Sequence, residues 1–231
     1  GGTLDRLVTN LMGHQIPYTH RLGGWYLTGI NQHPDSWANS LGRFDQGKLK
    51  RIKISPDQEN LRSYYPHPRS EAIAHAIISH QIGFTNQCIR LGFLHTEGEE
   101  AMFDQALENL ISYTLFQDEA PLPNPLRRDT SFTREFEASF ADSPPHYNLK
   151  KLNLRTRLFE YRCSYMLKSK IFKTLPAEVR EIFFTRLRQA ILDPAVQLKN
   201  ERVQLEPDQR KRIHHALSFH FPLYQEMKKA P

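Results

Sequence analysis

A chain of 231 residues, 39% hydrophobic and 24% charged, can bury a real core and has the balance of an ordinary water-soluble globular protein. No apolar run approaches the roughly 18 residues of a membrane-spanning helix, which excludes one. The two cysteines, Cys88 and Cys163, stand in no CxxC or CxxCH spacing, which excludes a Cys-rich zinc site and a standard covalent haem attachment within the chain.

The net charge of +6 is unevenly spread. From Tyr147 onward there are 18 Lys+Arg against 8 Asp+Glu, a net +10; before it there are 13 against 17, a net −4. A basic half suits nucleic acid, an acidic partner or anionic lipid, or it is simply a set of solvated helix faces, the commoner case. No RRM signature, zinc finger or basic-region heptad accompanies it, so nucleic acid is disfavoured. The cysteines form either one disulfide or two buried thiols. No signal peptide is visible, and the Gly1-Gly2 opening reads as a processed end compatible with a removed export signal.

In chain order, residues 3–12 carry apolar side chains at 4, 7, 8, 11 and 12, the pattern of a short amphipathic helix. Residues 21–66 read as irregular, with the RLGGWYLTG cluster, a short helix near Ser36–Leu41 and an extended basic piece, KLKRIKI. Prolines 66 and 68 close that region. A long helix is predicted from about Ser70 to His95, with Ile73, Ala76, Ile77, Phe84, Cys88, Leu91 and Leu94 on one face and Ser70 as its N-cap. After Gly98 a second helix runs to about Phe116, packed antiparallel on the first. PLPNPLRRDTS is a loop and TREFEASFA a short helix. Pro176 opens a further helix, with Glu178 and Glu181 near its positive end, and a last helix spans about Pro207 to Phe219. The fold class is therefore all-α: one helical domain over residues 1–231, with an irregular N-terminal excursion at 13–68 and a helical core at 69–220.

The apolar stripe of the long helix passes straight through His80. A buried imidazole needs a partner. It is either a core histidine bonded to a carbonyl or polar side chain, the commoner case, or a metal or haem ligand. Gln81 and Asn86 on the same helix are either supporting donors or helix-face polar residues. His14, His20 and His33 form a loose group matching no metal template, and His214, His215 and His220 read as surface or partner-facing. No GxSxG, P-loop or GxGxxG occurs, so no enzyme class is indicated.

Three segments in order, RLGGWYLTG at 21–29 with Asn39 beyond it, SHQIGFTN at 79–86, and LNLRTRLFEYRCSYMLKSKIFKTLP from 152, resemble a family of bacterial exported proteins related to c-type cytochromes. Gly23, Gly24, Trp25, Tyr26, Thr28 and Gly29 match its first motif. His80, Gln81 and Asn86 match the second. Thr156, Arg157, Leu158, Phe159, Tyr161, Cys163, Ser164 and Tyr165 match the third. The family's CxxCH is missing, its Glu before the His-Gln pair is Ser79, and two of its histidines fall at Thr85 and near Asn31. The resemblance implies a periplasmic or otherwise exported protein of cytochrome-associated type. It implies a haem- or redox-associated accessory domain in electron transfer, with a redox partner or membrane-bound electron-transfer complex. Haem would not be covalently attached within this chain, coming from a missing segment, a partner chain or non-covalent binding, with His80 as its metal ligand and Trp25, Tyr26, Gln81 and Asn86 lining the site. The alternative is a non-catalytic scaffold docking on an acidic partner through the basic C-terminal half. Gly23 and Gly24 are expected to serve a sharp turn or close approach, and Trp25 and Tyr26 to bury large area.

Overall fold

The computed structural model describes residues 13–23, 25–28, 31, 35–54, 70–128, 131–140, 144–196 and 204–227. The helix expected over residues 3–12, the ENLRSYYPHP stretch through position 68, and Gly24, Gly29 and His33 lie outside the described residues. The fold is predominantly helical. Two strands, β1 (Ser40–Asp45) and β2 (Lys48–Lys53), precede seven helices among the described residues. These are α1 (Ala72–Glu97), α2 (Glu100–Thr114), α3 (Phe132–Ala138), α4 (Lys170–Lys173), α5 (Ala177–Leu192), α6 (Pro207–His220) and α7 (Pro222–Glu226).

The first two helices follow from spacing. Ile73, Ala76, Ile77, His80, Phe84, Cys88, Leu91 and Leu94 recur every three or four residues and are all buried on α1. Gly98 ends the helix in the left-handed conformation at φ 71°, where its N–H caps the last carbonyls and the chain turns into α2. Ala106, Leu107, Leu110 and Ile111 of α2 are buried against that face. The N-cap of α1 is Glu71 rather than Ser70, whose hydroxyl is taken by His75 Nε2 at 2.8 Å.

Helices α5, α6 and α7 pack on one another and join the same core. Pro176 precedes α5, with Glu178 in its first turn, and Pro207 opens α6, where the Gln209 side chain accepts from the Glu206 N–H at 3.2 Å. Phe172 of α4, Phe183 and Phe184 of α5 and Tyr224 of α7 form an aromatic contact set. Fully burying each such ring contributes about 1.5–3 kcal/mol. A smaller cluster of Tyr18, Leu22, Leu27, Ala38 and Ala72 fastens the N-terminal segment to the start of α1.

The helical class holds in its coarser form, with a two-stranded hairpin beside the helices, and one expectation needs correction: the short helix expected near Ser36–Leu41 is a run of bends leading into β1. Gln46 and Gly47 both take positive φ, 49° and 74°, the paired left-handed geometry that closes a two-residue antiparallel hairpin. KLKRIK is extended as expected, because it is the second strand of that hairpin. The 152–175 block is an irregular strap with a Leu152–Phe159 bridge, a 3-10 turn at Tyr165–Lys168 and the short α4.

Candidate functional site

Four segments meet at His80. Helix α1 carries it with 0% exposure. The strap from the third motif brings Ser164, whose N–H is anchored to the Thr114 carbonyl at the end of α2 at 2.8 Å. The turn after α2 brings Asp118, helped by Phe116 at φ 53°. The N-terminal segment brings His14, also at 0% exposure.

These side chains form one chain of hydrogen bonds. His14 Nε2 lies 2.7 Å from Asp118 Oδ1, the two Nδ1 atoms of His14 and His80 are 2.8 Å apart, and His80 Nε2 is 2.8 Å from Ser164 Oγ. Met166 N–H donates to Ser164 Oγ at 3.1 Å. Only one consistent direction satisfies every group with two neutral rings. Ser164 Oγ–H donates to His80 Nε2, His80 Nδ1–H donates to His14 Nδ1, and His14 Nε2–H donates to the Asp118 carboxylate. Burial, followed by the nearby His14 ring and the Arg21 guanidinium, holds the His80 pKa well below its ordinary value, in keeping with a neutral ring.

Aromatic rings enclose the pair. Tyr113 and Phe116 each stack on both imidazoles, at 3.8 and 4.7 Å from His14 and 5.4 and 4.6 Å from His80. The Tyr113 hydroxyl donates to the His80 carbonyl at 3.1 Å and accepts from the His14 N–H at 3.4 Å. Gly83 makes this approach feasible, since a Cβ there would meet Tyr113 Oη at 2.1 Å. Arg21, itself buried, donates to the His14 and Ile16 carbonyls and fixes the N-terminal loop.

Of the residues matched by resemblance, His80 and Gln81 of the second motif meet Phe159, Ser164 and Tyr165 of the third, while Trp25 and Asn86 lie elsewhere. Gln81 lies beside the cluster and donates to the Tyr165 hydroxyl at 2.7 Å, and Tyr165 in turn sits 6.1 Å from the His80 ring. Asn86 is exposed. Trp25 is 47% exposed and leans on His75 at 4.3 Å, and Tyr26 is half-buried. Of the first motif it is Leu27, at 1% exposure, with Arg21 and Leu22, that is buried. Asn39 clamps it, accepting from Leu27 N–H at 2.6 Å and donating to its carbonyl at 2.8 Å. The chain turns sharply here as expected: Trp25 N–H donates to the Leu22 carbonyl at 3.1 Å across Gly23, and Leu22 takes a φ of 69°. Asn31 repeats the two-point clamp on Arg127.

Haem does not fit at His80 in this arrangement. Both ring nitrogens are bonded to protein and stacked rings enclose the imidazole, so a porphyrin would have to displace Ser164 or His14 together with their aromatic cover. A shared metal fits no better. Two nitrogens on one tetrahedral zinc at 2.0–2.1 Å stand about 3.3 Å apart, whereas the His14 and His80 Nδ1 atoms are at hydrogen-bond distance. Among the described residues no group of three or more His, Cys, Asp or Glu is arranged to hold a metal ion. Cys88 and Cys163 are free, buried thiols; burial pushes the first up to about 12 and raises the second further.

The remaining histidines are scattered. His20 is exposed. His214 bonds the Tyr224 hydroxyl at 2.9 Å and His220 the Tyr147 carbonyl at 2.8 Å, so both serve packing. His215 lines a cleft of about 330 Å³ between the Pro145–Tyr147 turn and α6, with His146, Lys151, Arg212, Tyr147 and Tyr161. The Arg212 guanidinium lies 4.9 Å from the Tyr161 ring and 3.5 Å from the Glu160 carboxylate. The Asn153 hydrogen bond, followed by the charges of Arg157, Arg212 and Lys151, holds Glu160 below the usual carboxylate range. Sequence reasoning found the charge bias of this half but not the cleft, which joins segments some sixty residues apart.

The chain matches no protein family, no curated protein and no solved structure in the comparisons made. Among the described residues no helix is long and apolar enough to cross a membrane.

Proposed function

We propose that the chain is a non-catalytic accessory domain that docks on an acidic partner, in the exported electron-transfer setting that its resemblance to c-type-cytochrome-like proteins implies. The observation that carries this reading is the cleft on the C-terminal half. Lys151, Arg212, His146 and His215 are exposed around two tyrosine rings, and the carboxylate nearest Arg212 is Glu160 at 3.5 Å. Arg212, held over the Tyr161 ring beside Glu160, together with exposed Lys151 and the two histidines, suits a carboxylate-bearing surface. The histidine chain supports the non-catalytic half of the reading. Its hydrogen-bonding capacity is spent inside the fold, and Ser164, the hydroxyl aligned with an imidazole, is fully buried and also caps the 165–168 turn.

The test is binding of a soluble acidic c-type cytochrome to the immobilised chain as ionic strength rises. Affinity falls steeply as the screening length shrinks from about 30 Å at 0.01 M to about 3 Å at 1 M. The exposed double variant Lys151→Glu/Arg212→Glu weakens it by about tenfold or more at low salt. Binding indifferent to both salt and charge reversal contradicts the reading.

A further inference from the structure

The hairpin β1–β2 has a surface that packing does not explain. It carries Arg43, Lys48, Lys50, Arg51 and Lys53 against the single Asp45, within an N-terminal part whose net charge is −4. It also exposes large apolar side chains: Phe44 is 76% exposed, Leu41 57% and Ile52 42%. Leu41 and Ile52 are cross-strand partners, so they share one face with the Arg43–Lys50 pair, while Phe44 stands on the other face beside the turn.

The ribbon is tied firmly at its root. Arg51 donates to the Asp35 and Ser36 carbonyls, and Lys53 to those of Ser36 and Ala38. The Arg51 guanidinium lies 5.4 Å from the Trp37 ring. Trp25 is joined to the root through its carbonyl, which accepts from Asn39 N–H at 3.0 Å. Both tryptophans of the chain are thus beside the ribbon, 47% and 37% exposed.

We infer that this ribbon is a docking element for an anionic lipid bilayer surface. Phe44 at the tip and the Leu41–Ile52 pair enter the interface from the two faces of the ribbon, Arg43 and Lys48, with Lys50 beside its Asp45 partner, meet lipid phosphates, and the two tryptophans lie at headgroup level. Charge complementarity selects an anionic surface. The three exposed apolar side chains select a bilayer over a hydrated polyanion, because lipid removes them from water where a phosphate backbone does not. The inference uses none of the residues of the basic cleft and stands independently of the docking role proposed there.

The test mixes the full chain with vesicles of phosphatidylglycerol and phosphatidylcholine, or of phosphatidylcholine alone, and reads co-sedimentation and tryptophan emission. Co-sedimentation with the anionic vesicles, and a blue shift of the emission, are expected, with neither on neutral vesicles. Lys48→Glu/Lys50→Glu weakens binding by about tenfold or more, and Phe44→Ser weakens it severalfold. All three positions are exposed on the ribbon, so an unchanged circular-dichroism spectrum shows that the fold is retained. Lys151→Glu/Arg212→Glu leaves vesicle binding unchanged. Equal binding to neutral vesicles, or no binding to anionic ones, overturns the inference. So does retention on duplex DNA in place of vesicles, or loss of vesicle binding in the cleft variant but not in the ribbon variant.

Discussion

His14 and His80 stand 66 residues apart in sequence and share a hydrogen bond between their Nδ1 atoms at 2.8 Å, each ring completed by a partner on its far side. That pairing ties the N-terminal segment to α1, the strap and the end of α2 at once. Its energetic weight follows from what each deletion leaves behind.

Replacing His80 with alanine removes a fully buried ring and strands both His14 Nδ1 and Ser164 Oγ in a dry interior. The loss of stability is about 3–5 kcal/mol by urea unfolding. Asp118→Asn keeps an acceptor oxygen for His14 Nε2–H and costs about 1 kcal/mol. Equal costs for the two variants would show that the chain of hydrogen bonds does not act as described.

Gly83 and Gly92 both sit in α1 and are predicted to respond differently. Gly83→Ala drives a methyl into Tyr113 Oη, 2.1 Å from the Cβ position, and costs about 1–3 kcal/mol. Gly92→Ala meets Leu175 Cδ2 at 3.4 Å, an ordinary contact, and stays within about 1 kcal/mol of wild type, aided by helix propensity. Thermal unfolding of the two variants decides it.

Stability falls with acid in the histidine range. Burial lowers the pKa of His80, His75 and His220 below the ordinary value in the folded chain. As pH drops through about 6.5, the unfolded chain therefore takes up protons that the folded chain does not. The contribution is fully present above that pH and is lost progressively below it. Tm measured from about pH 7.5 to 5.5 declines, and the decline is shallower in a His80→Gln variant.

The thiols are inert while the protein is folded. Cys88 and Cys163 are both at 0% exposure, and burial opposes the reactive thiolate. A thiol reagent labels neither in native buffer and both in denaturant. Native labelling at a rate matching a free thiol would contradict their placement.

The long helices were legible because α1 and α2 place apolar residues at three- and four-residue steps and are separated by Gly98. The hairpin was not, because its turn is Gln46-Gly47 instead of an Asn-Gly or Asp-Gly pair, and exposed Leu41, Phe44 and Ile52 obscure any polar alternation. His80 stood out from its place on an apolar stripe, and the commoner reading of it, a core histidine bonded to polar side chains, describes its surroundings. Its partners carried no local signal. His14 looked like one member of a loose loop group, Asp118 like a charge after a helix, and Ser164 entered only through resemblance. Spacing along a chain cannot announce contacts made by loops that converge from four places. Trp25 and Tyr26 are expected to bury large area, yet Leu27 takes the core position, held there by the Asn39 clamp, while Trp25 leans on His75 at the surface.

His80 is committed inside the fold, bonded at both ring nitrogens, and the proposed docking role rests on the surface instead. The most direct measurement is a visible-absorption titration of the purified chain with haem, run beside a His80→Ala variant checked for folding. No Soret shift that depends on His80 is expected. A stoichiometric shift in the wild-type chain that disappears in the variant would contradict it and make His80 a haem ligand.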